Sequence, residues 1–325
     1  MNHNGSVGLA RELIDVAAGA GADAVKFQTF KADRLVTPDA AKAAYQIRQT
    51  GAEETQLQML SRLELSEVHH HHLAAHAQAR GVLFMSTPFD EGSADLLDAL
   101  GVAVFKLPSG ELTNLSFLQH IARKGKPMIV STGMASLGEV EAAVQAIEGS
   151  GNDQFLLLHC VSNYPADAAD VNLRAMETLA AAFGVPVGYS DHTLGNEVSL
   201  AAVALGACVI EKHLTLDCNL PGPDHAASSE PDGLAALVRG IRTIEAALGN
   251  GRKQQTNSER STAAVARKSL VAARAISEGE VLTADTIAVR RPGTGLPPNL
   301  RPALLGRTAR RAIPVGTLLT LDMVA

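Results

Sequence analysis

Two lysines stand inside apolar runs of this 325-residue chain, Lys26 in AVKFQTF and Lys106 in VFKLPSGE. A buried ammonium is costly unless an anion lies beside it, so both positions predict an anionic partner. Hydroxyls stand at the ends of similar runs: Thr87 in FMSTP, Ser109 in LPSGE, Ser131 in MIVSTG and Ser190 in VGYSDH. Ammonium groups and hydroxyls facing one cavity would bind a phosphate or a carboxylate. Taken singly, a strand-end Ser or Thr caps the next helix; agreement among several ends favours a ligand. The lysines also have a rival use, as Schiff-base amines toward a carbonyl substrate.

His192 and His213 close two of these runs, GYSDH and VIEKH. Two neutral imidazoles at neighbouring strand ends suit a divalent cation, although a lone strand-end histidine is also a common hydrogen-bonded structural group. Glu111, Asp191, Glu211 and Asp224 lie near the same ends. Any of them could hold a hydroxyl, act as a general base or orient a histidine. The HHHH run 69–72 falls on a helical pattern and is expected on a solvated face.

The elements that must position these groups follow from the runs themselves. AVKFQ, VLFMSTP, VFKLPSGE, MIVSTG, FLLLHCVSNYP, VPVGYSDH and VIEKHL are short, apolar and bounded by turn signals, as strands buried on both faces are. Helical periodicity fills the intervals, for example over 65–81, 137–151 and 196–207. Alternating strand and helix predicts an α/β fold, a (β/α)8 TIM barrel, in which all strand C-termini open on one face. Polar residues at seven such ends would converge on one pocket.

Composition agrees. The chain is 46% hydrophobic with no Trp, which implies an aliphatic core, and its length allows a barrel of about 250 residues plus a small second unit. No apolar stretch reaches the roughly 18 residues that cross a bilayer, so a soluble, cytoplasmic protein with no membrane partner is expected. Net charge is −6 and the basic residues cluster only near 290–291 and 307–311, which argues against nucleic acid. Cys160, Cys208 and Cys218 lack metal-motif spacing and are expected as small core residues. The barrel pattern closes with a helix over 230–249. A polar linker, 250–265, precedes a β-rich unit over 266–325.

Taken together the segments resemble the sialic acid synthase family, which condenses phosphoenolpyruvate with an N-acylated mannose-type sugar. The resemblance rests on NHNGS (2–6), VKFQTF (25–30), STPFD (86–90), KLPSGE (106–111), STGM (131–134), HC..NYP (159–165), SDHT (190–193), EKHLTLD (211–217) and GPDH (222–225). KSLVA (268–272) and RRPGTG (290–295) are similar to the antifreeze-like SAF domain. The resemblance implies that Lys26, Thr87, Lys106, Ser109, Ser131 and Ser190 bind phosphoenolpyruvate. It implies that His192 and His213 hold manganese, with Mg2+ or Co2+ as alternatives, and act in catalysis with Glu111. Gln28, Glu111, Tyr164 and Asp224 match positions near the sugar. Arg291 matches an arginine that reaches the sugar across a domain-swapped homodimer.

The chain departs from the pattern twice. Ser162 occupies the family's phosphate-side Asn position, with an Asn displaced to 163. Relatives also carry an apolar strand ending in Glu just before NHNG, whereas Met1 directly precedes Asn2 here, so the first barrel strand is expected to be absent. A chain left non-catalytic by that loss is a further alternative. Segments 45–51 and 54–66 resemble both N-acetylneuraminate synthases and N,N'-diacetyllegionaminate synthases.

Overall fold

Each expected run folds as a strand in the computed structural model, which describes residues 1–325. The strands are β1 (Ala24–Thr29), β2 (Leu83–Pro88), β3 (Phe105–Leu107), β4 (Met128–Ser131), β5 (Phe155–Cys160), β6 (Val187–Asp191) and β7 (Ile210–Lys212). All pair in parallel. β1 pairs with β2, and β3 through β7 form one ladder in chain order. The result is a curled parallel sheet, a half-barrel in two arcs. β1 and β7 each pair on one side only. A cavity of about 440 Å3 opens beside both, lined by Lys26, Leu83, Ile129, Ile210 and Glu211 among others.

Helices cover the outer face. α1 (Val7–Ala20) buries Ala10, Leu13, Ile14 and Ala17, the i, i+3, i+4, i+7 stripe of an amphipathic helix. Ser6 Oγ accepts from Leu9 N at its start, and Gly21 ends it at φ 81°, a left-handed conformation that glycine takes without strain. α2 (Glu67–Ala79), α3 (Glu91–Ala99), α4 (Leu115–Ala122), α5 (Leu137–Glu148), α6 (Ala175–Phe183), α7 (Glu197–Ala204) and α8 (Pro231–Leu248) follow between and after the strands. No helix is long and apolar enough to cross a membrane.

The solvated face expected for 69–72 needs correction at one position. His70 is fully buried, because with Leu73 and Ala77 it forms the inward stripe of α2. Its Nε2 lies 2.8 Å from Thr29 Oγ1, which lies 2.7 Å from Ser86 Oγ, so β1, β2 and α2 share one polar chain. The cysteines divide as well: Cys160 is buried, Cys218 half-buried and Cys208 exposed.

The N-terminal segment 1–5 packs against the loop after β7. Asn2 Nδ2 donates to Leu214 O at 2.8 Å and to Ser228 Oγ at 2.7 Å, and Asn4 Nδ2 donates to Pro221 O at 2.9 Å. These contacts explain why polar NHNG is conformationally fixed: its two asparagines donate to groups of the loop after β7, Asn2 from a buried position.

The chain divides into two compact units, Met1–Gly249 and Asn250–Ala325. The second has its own core, including Leu270, Ile276, Leu282, Ile287, Ile313 and Leu319. β8 (Ser269–Ala272) and β9 (Ile287–Arg290) pair antiparallel, and the other β-like pieces make single bridges such as Ile276 to Ile313. The stretch 250–265, expected as a linker, holds helix α9 (Glu259–Ala266) in its second half. Thr256 and Glu259 exchange hydrogen bonds at its start, and Ala264 O accepts from Gly293 N at 2.7 Å. A capped start and an anchored last turn let a polar sequence form a helix.

Candidate active site

The anion that the two lysines require is Glu211. Its Oε1 lies 3.1 Å from Lys26 Nζ and its Oε2 3.2 Å from Lys106 Nζ, so a carboxylate on β7 bridges ammonium groups from β1 and β3. Burial pushes the Glu211 carboxyl up, yet the two ammonium groups outweigh it and hold it below the usual carboxylate range. Burial likewise lowers Lys106, with Glu211 pulling it back up. Lys106 Nζ also donates to Ser131 Oγ at 2.7 Å and to Leu107 O at 3.0 Å.

The hydroxyls gather at the same strand ends. Thr87 is 1% exposed and its Oγ1 has no hydrogen-bond partner. A buried hydroxyl left open costs stability unless a ligand completes it. Ser109 Oγ accepts from Gly133 N at 2.9 Å and lies 3.1 Å from Cys160 Sγ. A Cβ on Gly133 would fall 2.8 Å from both of those atoms and would collide with Ser162 Oγ. Ser162 therefore stands in the cradle, while Asn163 is exposed with its side chain turned onto the Tyr164 amide. Ser190 is buried beside His192, 3.4 Å from its Nε2.

The two histidines meet as expected, with ring centroids 5.5 Å apart. Nδ1 of His192 donates to Val161 O at 2.6 Å, which fixes the tautomer and leaves Nε2 with its lone pair. Burial lowers the pKa of both rings, which favours their neutral form. His213 Nδ1 is 3.8 Å from Asp224 Oδ2. No third His, Cys, Asp or Glu joins them in a metal-ligating group. The donor set fits a divalent cation that keeps most of its positions for water or substrate.

Tyr164 covers the pair, its ring 4.2 Å from His192 and 5.5 Å from His213, and Tyr45 packs on Tyr164 at 5.1 Å. Asp224 is buried and its pKa is raised by that burial. Gln28 lines the cavity with Lys26 and His213. Glu111 is not drawn into the lysine cluster; its Oε2 accepts from Asn114 Nδ2 at 2.8 Å. Arg291 is exposed in the second unit, beside β9.

Comparison with known proteins decides the family. The NeuB family model matches residues 13–253, and the SAF domain model matches 267–325. The chain belongs to the NeuB family. Its NeuB relatives include two proteins named N,N'-diacetyllegionaminic acid synthase. The one from Campylobacter jejuni is 48% identical over 96% of this chain and 94% of its own length; that from Legionella pneumophila is 48% identical over 98% and 91%. A crystal structure of N-acetylneuraminic acid synthetase from Leptospira borgpetersenii, in complex with citrate, superposes with TM-score 0.71 at 36% identity, covering 80% of this chain and 86% of that one.

Sequence reasoning missed three members of this NeuB site. Glu211 was one carboxylate among four, Tyr45 was part of a motif without a role, and Cys160 was only a core residue. The signal for Glu211 was present: a glutamate inside an apolar strand of a chain that sets two lysines in similar strands.

Proposed function

We propose that the protein condenses phosphoenolpyruvate with an open-chain acylamino sugar, releasing phosphate and forming a nonulosonic (sialic-type) acid. One observation carries the reading: Lys26, Lys106, Ser131 and the unpaired Thr87 hydroxyl gather at the strand ends of a NeuB-family sheet. Lys26 and Lys106 would hold the carboxylate and phosphate, with Ser109, Ser131, Ser162 and Ser190 as further donors. The methylene carbon of phosphoenolpyruvate bonds to the sugar aldehyde carbon, and water adds at the adjacent C2. The hemiketal phosphate then loses phosphate by C–O cleavage, leaving a 2-keto acid.

His192 and His213 would hold the cation, Mn2+ first and Mg2+ or Co2+ as alternatives. When bound it supplies Lewis-acid polarisation of an oxygen. Gln28, Tyr164 and Asp224 would face the sugar, and Glu111 is proposed as a proton-transfer group. The names of the relatives at 48% identity favour a diacetamido sugar beside N-acetylmannosamine. The same reading carries a cytoplasmic homodimer with exchanged C-terminal units, in which Arg291 completes the sugar site; sedimentation of the full chain tests the dimer.

The decisive assay measures phosphate release from phosphoenolpyruvate with each sugar, before and after chelation and Mn2+ add-back. With 18O at the bridging oxygen, the label is expected in the phosphate. No release with any acylamino sugar would sink the reading, and release indifferent to chelation would remove the cation from it.

A further inference from the structure

Asp191 and Lys212 face each other across the β6–β7 ladder, and none of the chemistry proposed above uses them. Their ion pair is 2.8 Å long, with the side chains 0% and 4% exposed. Lys212 Nζ also donates to Thr193 O at 2.6 Å and Gly195 O at 2.9 Å, which occupies all three ammonium protons. Asp191 Oδ1 accepts from Thr193 N at 2.9 Å and Thr193 Oγ1 at 2.8 Å, and its Oδ2 accepts from Ser199 Oγ at 2.5 Å as well as from the lysine. A pair so saturated has no capacity left for a ligand.

Its role follows from what it joins. It fastens the end of β6, the end of β7, the turn 193–195 and, through Ser199, helix α7. The residue after each partner is one of the two histidines. Successive side chains on a strand point to opposite faces, so the pair lies behind the ladder where the imidazoles stand in front. The His192 ring is otherwise held by Val161 O at 2.6 Å and more loosely by Ser190 Oγ at 3.4 Å, and the only polar approach to the His213 ring is Asp224 at 3.8 Å. Stability alone does not account for the pair, since apolar residues of similar volume often replace a buried ion pair without loss.

We infer that the Asp191–Lys212 pair is a positioning device that sets the spacing and orientation of His192 and His213 toward a shared ligand. The inference rests on the two-histidine site proposed above.

The test uses the full chain freed of metal. In the double variant Asp191→Asn/Lys212→Met no charge is left buried, and a cooperative thermal melt verifies its fold. Ser199→Ala is the milder second variant, removing one anchor of the aspartate. Two readouts are taken: calorimetric titration with MnCl2, and the ring N–H signal of His192 by nitrogen-15 NMR. The double variant is expected to lose about 10–100-fold in Mn2+ affinity, with phosphoenolpyruvate affinity unchanged and the His192 ring signal shifted or broadened. Ser199→Ala is expected to lose less, in the same direction. Wild-type Mn2+ affinity and an unchanged ring signal in both variants would overturn the inference. If the wild-type chain itself binds no Mn2+, the cation reading fails, and the ring signal alone decides the positioning role.

Discussion

Glu211 is the residue on which the site turns. Between the half-buried Lys26 and the buried Lys106 it converts two separate cations into a bridged triad. Removing one partner of a buried pair leaves the other charge uncompensated, so Glu211→Gln is expected to destabilise the first unit by about 3–5 kcal/mol in urea titration. Thr87 behaves in the opposite way. Its hydroxyl is buried without a partner, so Thr87→Val is expected to leave stability unchanged or raise it by about 1 kcal/mol, while weakening phosphoenolpyruvate binding about tenfold. A stability loss without a binding loss would show that the hydroxyl serves the fold. The need for an anion beside the lysines was legible in their apolar surroundings. Which carboxylate supplies it was not, because β7 lies far from β1 and β3 in sequence and meets them only when the sheet curls.

At the scale of elements, the strands were legible because a run buried on both faces has few alternatives to a parallel sheet. Two stretches were not legible, for different reasons. His70 reads as polar, and only its three- and four-residue spacing to Leu73 and Ala77 puts it on the inward stripe of α2. The sequence 259–266 has few large apolar residues, and α9 depends on its cap and on the Gly293 contact instead. Gly133 marks where strand ends crowd most closely, with Ser109, Cys160 and Ser162 around its Cα. Gly133→Ala is expected to cost about 1–3 kcal/mol in stability by overpacking and to abolish phosphate release. Full activity in that variant would mean that the loop after β4 has room to move.

For the molecule as a whole, five histidines are held neutral by burial: His3, His70, His192, His213 and His225. Their folded pKa values lie below the unfolded reference, so the unfolded chain binds more protons. The stability they contribute is complete above about pH 6.5 and is lost as pH falls toward the folded values, by up to about 1 kcal/mol per histidine in the first pH unit. The urea midpoint is therefore expected to be lower at pH 5.5 than at pH 7.5. Tyrosine fluorescence is a suitable probe, because all three tyrosines lie in the first unit and there is no Trp. The lysine–glutamate triad has a long-range counterpart. With Glu211 between them, Lys26 and Lys106 present one net positive charge to an incoming anion, within a chain whose own charge is −6. Field lines from such a site fade quickly into solvent. Capture of phosphoenolpyruvate should then depend little on ionic strength, with recognition beginning only once the anion has entered the mouth and meets the ammonium groups at contact distance.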